Sequence, residues 1–162
     1  MESKQPYVVI GLGNHFRGDD SCGLTVAQEL DRRGLQNVCV VDSSADGTAM
    51  IAAWDNAEAA IIIDCVRSGA PAGEVFRFDA LRTPLPEALF RSTSTHRLGV
   101  SQVIRLAEAL GRLPRHLVVF GIEGNQFDRG AAMTPAVAQA SHRLVDQVIA
   151  EIAALSQPIR RD

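Results

Sequence analysis

Apolar positions in this chain come in short β-branched runs, each closed by a polar loop, with longer stretches of helical spacing between them. Tyr7-Val8-Val9-Ile10 is the first run and is bounded by Gly11. A run of that length, ending at glycine, predicts a buried strand. Asn37 to Val41 repeats the pattern, and Ala59-Ala60-Ile61-Ile62-Ile63 is its strongest instance. Unbroken apolar character marks a strand covered on both faces, so 59–64 is expected inside a parallel sheet. Glu74 to Phe78 alternates polar and apolar residues and reads as an edge or half-exposed strand. His116 to Phe120 is the last run. The expected strands are therefore 7–12, 37–42, 59–64, 74–78 and 116–121.

Helical spacing fills the intervals. Leu24, Ala27 and Leu30 share one face, with Val26 beside them. A second helix is expected over Thr48 to Trp54. A third is expected over Ser101 to Leu110, with Val103, Leu106, Ala107 and Leu110 on its buried face, closed by Gly111 and Pro114. Thr134-Pro135 is an N-cap and first-turn pair for a final helix reaching about Leu155. Its inward positions are Val137, Leu144, Val145, Val148, Ile149 and Ile152. Strands alternating with helices define an α/β fold with a mostly parallel sheet. At 162 residues the chain suits one domain, 1–162, and shows no internal boundary or repeat.

Composition narrows the function classes. The formal net charge is −3 and aromatic residues are 5% of the chain, a poor match to a nucleic-acid surface. No apolar run approaches the roughly 20 residues needed to cross a bilayer. No signal-peptide pattern precedes the first strand, so a cytoplasmic protein is expected. Cys22, Cys39 and Cys65 form no C-x-x-C pair, which argues against a disulfide framework or zinc ribbon. Cys39 reads as a small buried hydrophobe. Cys22 and Cys65 each follow an acidic motif and are candidates for a common crevice.

The chemistry gathers at the carboxyl ends of the strands, where open α/β sheets form their sites. The loop after the first strand is Gly11-Leu12-Gly13-Asn14-His15-Phe16-Arg17-Gly18-Asp19-Asp20. Phe16 occupies the place of the third glycine in a dinucleotide fingerprint, and two carboxylates would repel a pyrophosphate. Such a loop suits a cation better than a nucleotide. Capping of the next helix is the plainer role for Asp19 or Asp20. Asp42, Asp64 and Glu123 close later strands along the same rim, with Glu123 a candidate supporting acid. The long loop from Asp79 to Thr95 leads to His96, within reach of that rim. No Ser-His-Asp order, Walker loop or H-E-x-x-H helix is present.

Taken in order, Gly11-x-Gly13-Asn14-x-x-x-x-Asp19-Asp20-x-x-Gly23, the aspartate Asp64 closing an Ile-rich strand, and Ser94-x-His96-x-Leu98-Gly99 resemble the hydrogenase maturation proteases. The resemblance runs from Tyr7 to about Ile149. It implies a twisted five-stranded sheet with helices on both faces. It also implies an endopeptidase that trims the C-terminus of a nickel–iron hydrogenase large-subunit precursor. Asp20, Asp64 and His96 then fall at the family's catalytic, metal-recognising positions. Two departures from the family pattern stand out: Ser21-Cys22 where glycine and a small or apolar residue are common, and Asp42-Ser43-Ser44 where Asp-Gly-Gly is common.

Two carboxylates and an imidazole are a mixed oxygen and nitrogen set that suits nickel, zinc or another divalent transition metal. Two roles stay open to that set. It could hold a metal that activates water, or it could grip nickel already seated in the substrate. A module that binds nickel or the precursor without cutting is the alternative to the protease.

Overall fold

The computed structural model describes residues 6–43, 47–90 and 98–157. His96 and Ser44, both singled out above, lie outside the described residues. The elements run β1 (Tyr7–Leu12), a 3-10 turn (Gly18–Ser21), α1 (Cys22–Arg33), β2 (Val38–Ser43), α2 (Gly47–Trp54), β3 (Ala59–Val66), β4 (Val75–Asp79), α3 (Val100–Ala109), β5 (His116–Glu123) and α4 (Pro135–Leu155). They form one five-stranded sheet in the order β2-β1-β3-β5-β4. All neighbours are parallel except β4, which runs antiparallel to β5 at the edge.

The period of two along each strand divides the core between the two faces. Ile61 and Ile63 join Val9, Phe120, Leu30 and Leu144 in the layer under α1 and α4. Ile62 joins Ile10, Val119, Met50, Trp54 and Val103 in the layer under α2 and α3. The three isoleucines are at most 2% exposed. That double burial is the physical basis of the continuous apolar run in β3.

Two expectations are corrected. On α3 the buried stripe is Val100, Val103, Ile104 and Ala107, while Leu106 and Leu110 are exposed. Leu106 and Leu110 extend the apolar arc on one side of this helix, so spacing alone fits two overlapping stripes, and packing against α2 selects one. Cys39 is exposed. It lies on β2, an edge strand, where the sheet face is only partly covered.

Topology places the site. The chain leaves β1, forms β2 on one side, and then crosses to build β3 on the other side of β1. Successive connections therefore diverge between β1 and β3, which opens a crevice at their carboxyl ends. Pairing between β1 and β3 stops at Gly11 with Ile63, so Asp64 is the first residue of β3 beyond its β1 neighbour. Gly23 drives the start of α1 into this gap. A Cβ there would collide with the carbonyl oxygens of Leu12 and Ile63 at once. No rotamer relieves such a clash, because both obstacles are backbone.

Gly23→Ala is accordingly expected to lower stability by about 3 kcal/mol or more, or to prevent folding. Gly34, which ends α1 at φ 61° with open space around it, provides the control. Gly34→Ala should cost only about 1 kcal/mol, from its left-handed backbone alone. Urea unfolding of the two variants checks this, and equal losses would contradict the close-approach account.

Candidate metal-recognition site

Asp20 sits in the 3-10 turn that connects the end of β1 to α1, and Asp64 on β3 across the crevice. Both are half-buried. Their proximity registers in the acidity of Asp64, whose carboxyl is pushed up to about 7 from an ordinary 3.8. Burial is the largest cause, and the charge of Asp20 adds to it. The Cys65 N–H donates to Asp64 Oδ1 at 2.8 Å and partly opposes them. The negative charge of Asp20 thus adds to what burial does to Asp64, and a cation beside Asp64 would act in the opposite sense.

Beside the pair lie two thiols. Cys22 is fully buried. Its thiol is pushed well above the usual range, first by its hydrogen bond with Cys65, then by burial, with the negative charges of Asp64 and Asp20 adding to the shift. Cys65 packs against the same apolar layer. The expectation that the two cysteines share a crevice is met, and the environment keeps Cys22 protonated. That is the opposite of what a thiolate nucleophile requires.

Asp19, next to Asp20, has a different task. It is completely buried. Its Oδ2 accepts the N–H groups of Asn125 and Gln126, both at 2.9 Å. Its Oδ1 accepts the Thr134 N–H at 2.8 Å and the Thr134 hydroxyl at 2.9 Å. In return the Asp19 N–H donates to the Gln126 carbonyl at 2.8 Å. Burial raises its pKa, but these four donors outweigh it and hold the carboxyl below the ordinary carboxylate range. Asp19 thus ties the β1–α1 loop to the β5–α4 loop and does not cap α1. Thr134 is the N-cap of α4 by position, yet its hydroxyl serves Asp19 and not its own helix. Nothing local in the sequence marks this contact; the indirect signal is a pair of adjacent acids that cannot both face one crevice.

The remaining rim acids lock loops. Glu123 is 2% exposed and accepts the N–H groups of Ser68 and Gly69 together with the Ser68 hydroxyl, at 2.8–3.1 Å. It fixes the turn that leaves β3 directly after the site. Asp42 accepts from Gln28 at 3.3 Å and lies 3.7 Å from His15. After β3, the Arg67 guanidinium stacks 3.5 Å over the Phe127 ring. Asp20 and Asp64 are thus brought together, whereas Asp42 and Glu123 are engaged elsewhere.

The fold and site together are those of an α/β domain with a half-buried carboxylate pair at its switch point. The model of the hydrogenase maturation protease family matches residues 24–151, most of the chain. The chain belongs to that family of peptidases. It is 29% identical over 158 residues to the hydrogenase expression/formation protein HupD of Bradyrhizobium diazoefficiens, covering 89% of this chain and 78% of that one. It is 23% identical to the hydrogenase 2 maturation protease of Escherichia coli, over 90% of this chain and 89% of the other. Among solved structures, the hydrogenase maturating endopeptidase HybD from Escherichia coli superposes with a TM-score of 0.80 at 23% identity, over 93% of each chain. That last likeness shows the same fold.

The two neighbouring acids should titrate stability in opposite directions. Asp64 has a raised folded pKa, so its contribution is fully present below about 3.8 and is lost as pH rises through about 7. Asp19 has a depressed pKa, so its contribution is present above about 3.8 and is lost only as pH falls further. In metal-free buffer at pH 8, Asp64→Asn is expected to stabilise the protein by about 2–3 kcal/mol. Asp19→Asn should destabilise it by about 2–4 kcal/mol, because an amide nitrogen would face two or more donors. Denaturant unfolding between pH 5 and pH 8 reads both effects. A destabilised Asp64→Asn at pH 8 would contradict the assignment of Asp64 as a repelled carboxylate.

Proposed function

We propose that this chain is the endopeptidase that removes the C-terminal extension from a nickel–iron hydrogenase large-subunit precursor, after nickel has been inserted. The observation that carries the reading is the convergence of Asp20 and Asp64 at the switch-point crevice of a chain in this protease family. Nickel enters as part of the substrate. Asp20 and Asp64 offer oxygen donors to it, and His96 a nitrogen donor. Three such groups do not fill the coordination of a divalent transition metal, which leaves positions for the precursor's own ligands. A divalent cation between the two carboxylates also offsets the burial of Asp64 and the repulsion from Asp20 that together raise its pKa. The metal thus holds the adjacent peptide bond at the rim, and one binding event reports both the identity of the precursor and its loading. Unpaired thiols at Cys22, Cys39 and Cys65 accord with action in the reducing cytosol.

Mass spectrometry of a large-subunit precursor tests this directly. The wild-type protein should release the extension from nickel-loaded precursor and leave nickel-free precursor intact. Asp20→Asn, Asp64→Asn and His96→Ala should each slow trimming by at least about 100-fold, corresponding to about 3 kcal/mol or more of lost transition-state stabilisation. Loss in Asp64→Asn would not reflect unfolding, since that variant is expected to be the more stable protein. Equal trimming of loaded and nickel-free precursor would contradict the proposal.

A further inference from the structure

The chemistry of the acid pair leaves two thiols, Cys22 and Cys65, without a task. Cys22 is the first residue of α1, and Cys65 stands on β3 directly after Asp64. The fold brings them together through Gly23. Its backbone lies against the Ile63 carbonyl, which sets the first turn of α1 on the end of β3. Ile63 and Cys65 alternate with Asp64 along the strand and share the layer under α1 and α4, where Cys22 is also buried. The two sulfurs meet there in a thiol–thiol hydrogen bond. Neither is part of a disulfide.

The two thiols differ in access. Cys22 is fully buried, whereas Cys65 is half-buried. Gly124 keeps room for the Cys65 sulfur, since a Cβ at that glycine would lie 2.6 Å from Sγ. One reachable sulfur with an enclosed sulfur bonded to it is a reactive thiol whose resolving partner is already in place. Closure asks only that two sulfurs already in contact draw together.

We propose that Cys22 and Cys65 form a reversible disulfide when the protein meets hydrogen peroxide, and that this bond switches the acid pair off. The second part rests on the function proposed above. Oxidation begins at Cys65, whose sulfur takes one oxygen of the peroxide. The O–O bond breaks, water leaves, and a sulfenic acid remains. The Cys22 sulfur then attacks the Cys65 sulfur. The S–S bond forms, the S–O bond breaks, and the Cys22 proton departs with the hydroxyl as a second water. The thiol pair thus loses two electrons and two protons, and the peroxide is reduced to water. The new bond ties α1 to β3 close beside both acids, two residues after Asp20 and one after Asp64. It draws Cys65 towards α1. Asp64 Oδ1 accepts the Cys65 N–H at 2.8 Å, so the Asp64 carboxylate is displaced with it. A disulfide that forms in a reducing compartment is transient and redox-sensing, and a thiol reductant reverses it.

The full chain carrying Cys39→Ser is the test protein, because Cys39 is exposed and would otherwise link one copy to another. It is treated with hydrogen peroxide and followed by intact mass and peptide mapping. The expected product is lighter by about 2 Da, the mass of the two hydrogens lost. It should contain the peptides of Cys22 and Cys65 joined, and dithiothreitol should separate them. In the same background, Cys22→Ala should leave Cys65 as a sulfenic acid that dimedone labels. With nickel-loaded precursor, the linked protein should cut at least about tenfold more slowly and regain its rate on reduction. Peroxide should not slow Cys65→Ala in this reversible way. Treated protein that keeps both thiols free, or carries oxygen on Cys65 without a link to Cys22, would overturn the disulfide. Linked protein that trims loaded precursor at the unlinked rate would overturn the switch. Untreated protein that leaves loaded precursor uncut would overturn the proposed function and the switch with it, while the joined peptides would still establish the disulfide.

Discussion

The position of Gly23 is the constraint on which the site depends. Its backbone lies against the carbonyl oxygens of Leu12 on β1 and Ile63 on β3, closer than any side chain permits. That contact presses the first turn of α1 into the opening between the two strands. Asp20, just before this turn, is thereby carried across to Asp64. The result opposes stability, since burial and the charge of Asp20 together make Asp64 hold its proton up to about pH 7. Repulsion of this kind persists at functional sites because the surrounding structure fixes it in place.

That surrounding structure is built largely from other acids. Asp19 and Asp20 are adjacent in sequence but divide the work. Asp19 turns inward and gathers four donors from the loop after β5, which clamps the two rim loops together. Glu123 does the same for the turn after β3 through Ser68 and Gly69. With the loops held from both sides, Asp20 and Asp64 are positioned before any ligand arrives. A site ordered in advance does not spend binding energy on ordering itself.

Much of this architecture was legible in the sequence. Strong apolar runs bounded by glycine and acids mark five strands within one or two residues, and the isoleucines of β3 identify the strand buried on both faces. Asp20 and Asp64 stood out as candidates because one follows β1 and the other lies near the carboxyl end of β3, where α/β folds place their sites. Three features were not. The buried face of α3 was ambiguous because Leu106 and Leu110 widen its apolar arc on one side, and only contact with α2 decides. Cys39 resembles its apolar neighbours, and strand order alone reveals that β2 lies at an edge. Asp19 and Glu123 act over separations of 106–115 and 54–55 residues, so local spacing carries no trace of their partners.

The central claim is that the acid pair meets nickel held by the substrate. X-ray absorption at the nickel edge, recorded on loaded precursor alone and in complex with this protein, addresses it most directly. Complex formation is expected to add oxygen or nitrogen neighbours at about 2.0–2.2 Å, and the change should be lost with the double variant Asp20→Asn, Asp64→Asn. A nickel environment unchanged on forming a complex with the wild-type protein would contradict the account.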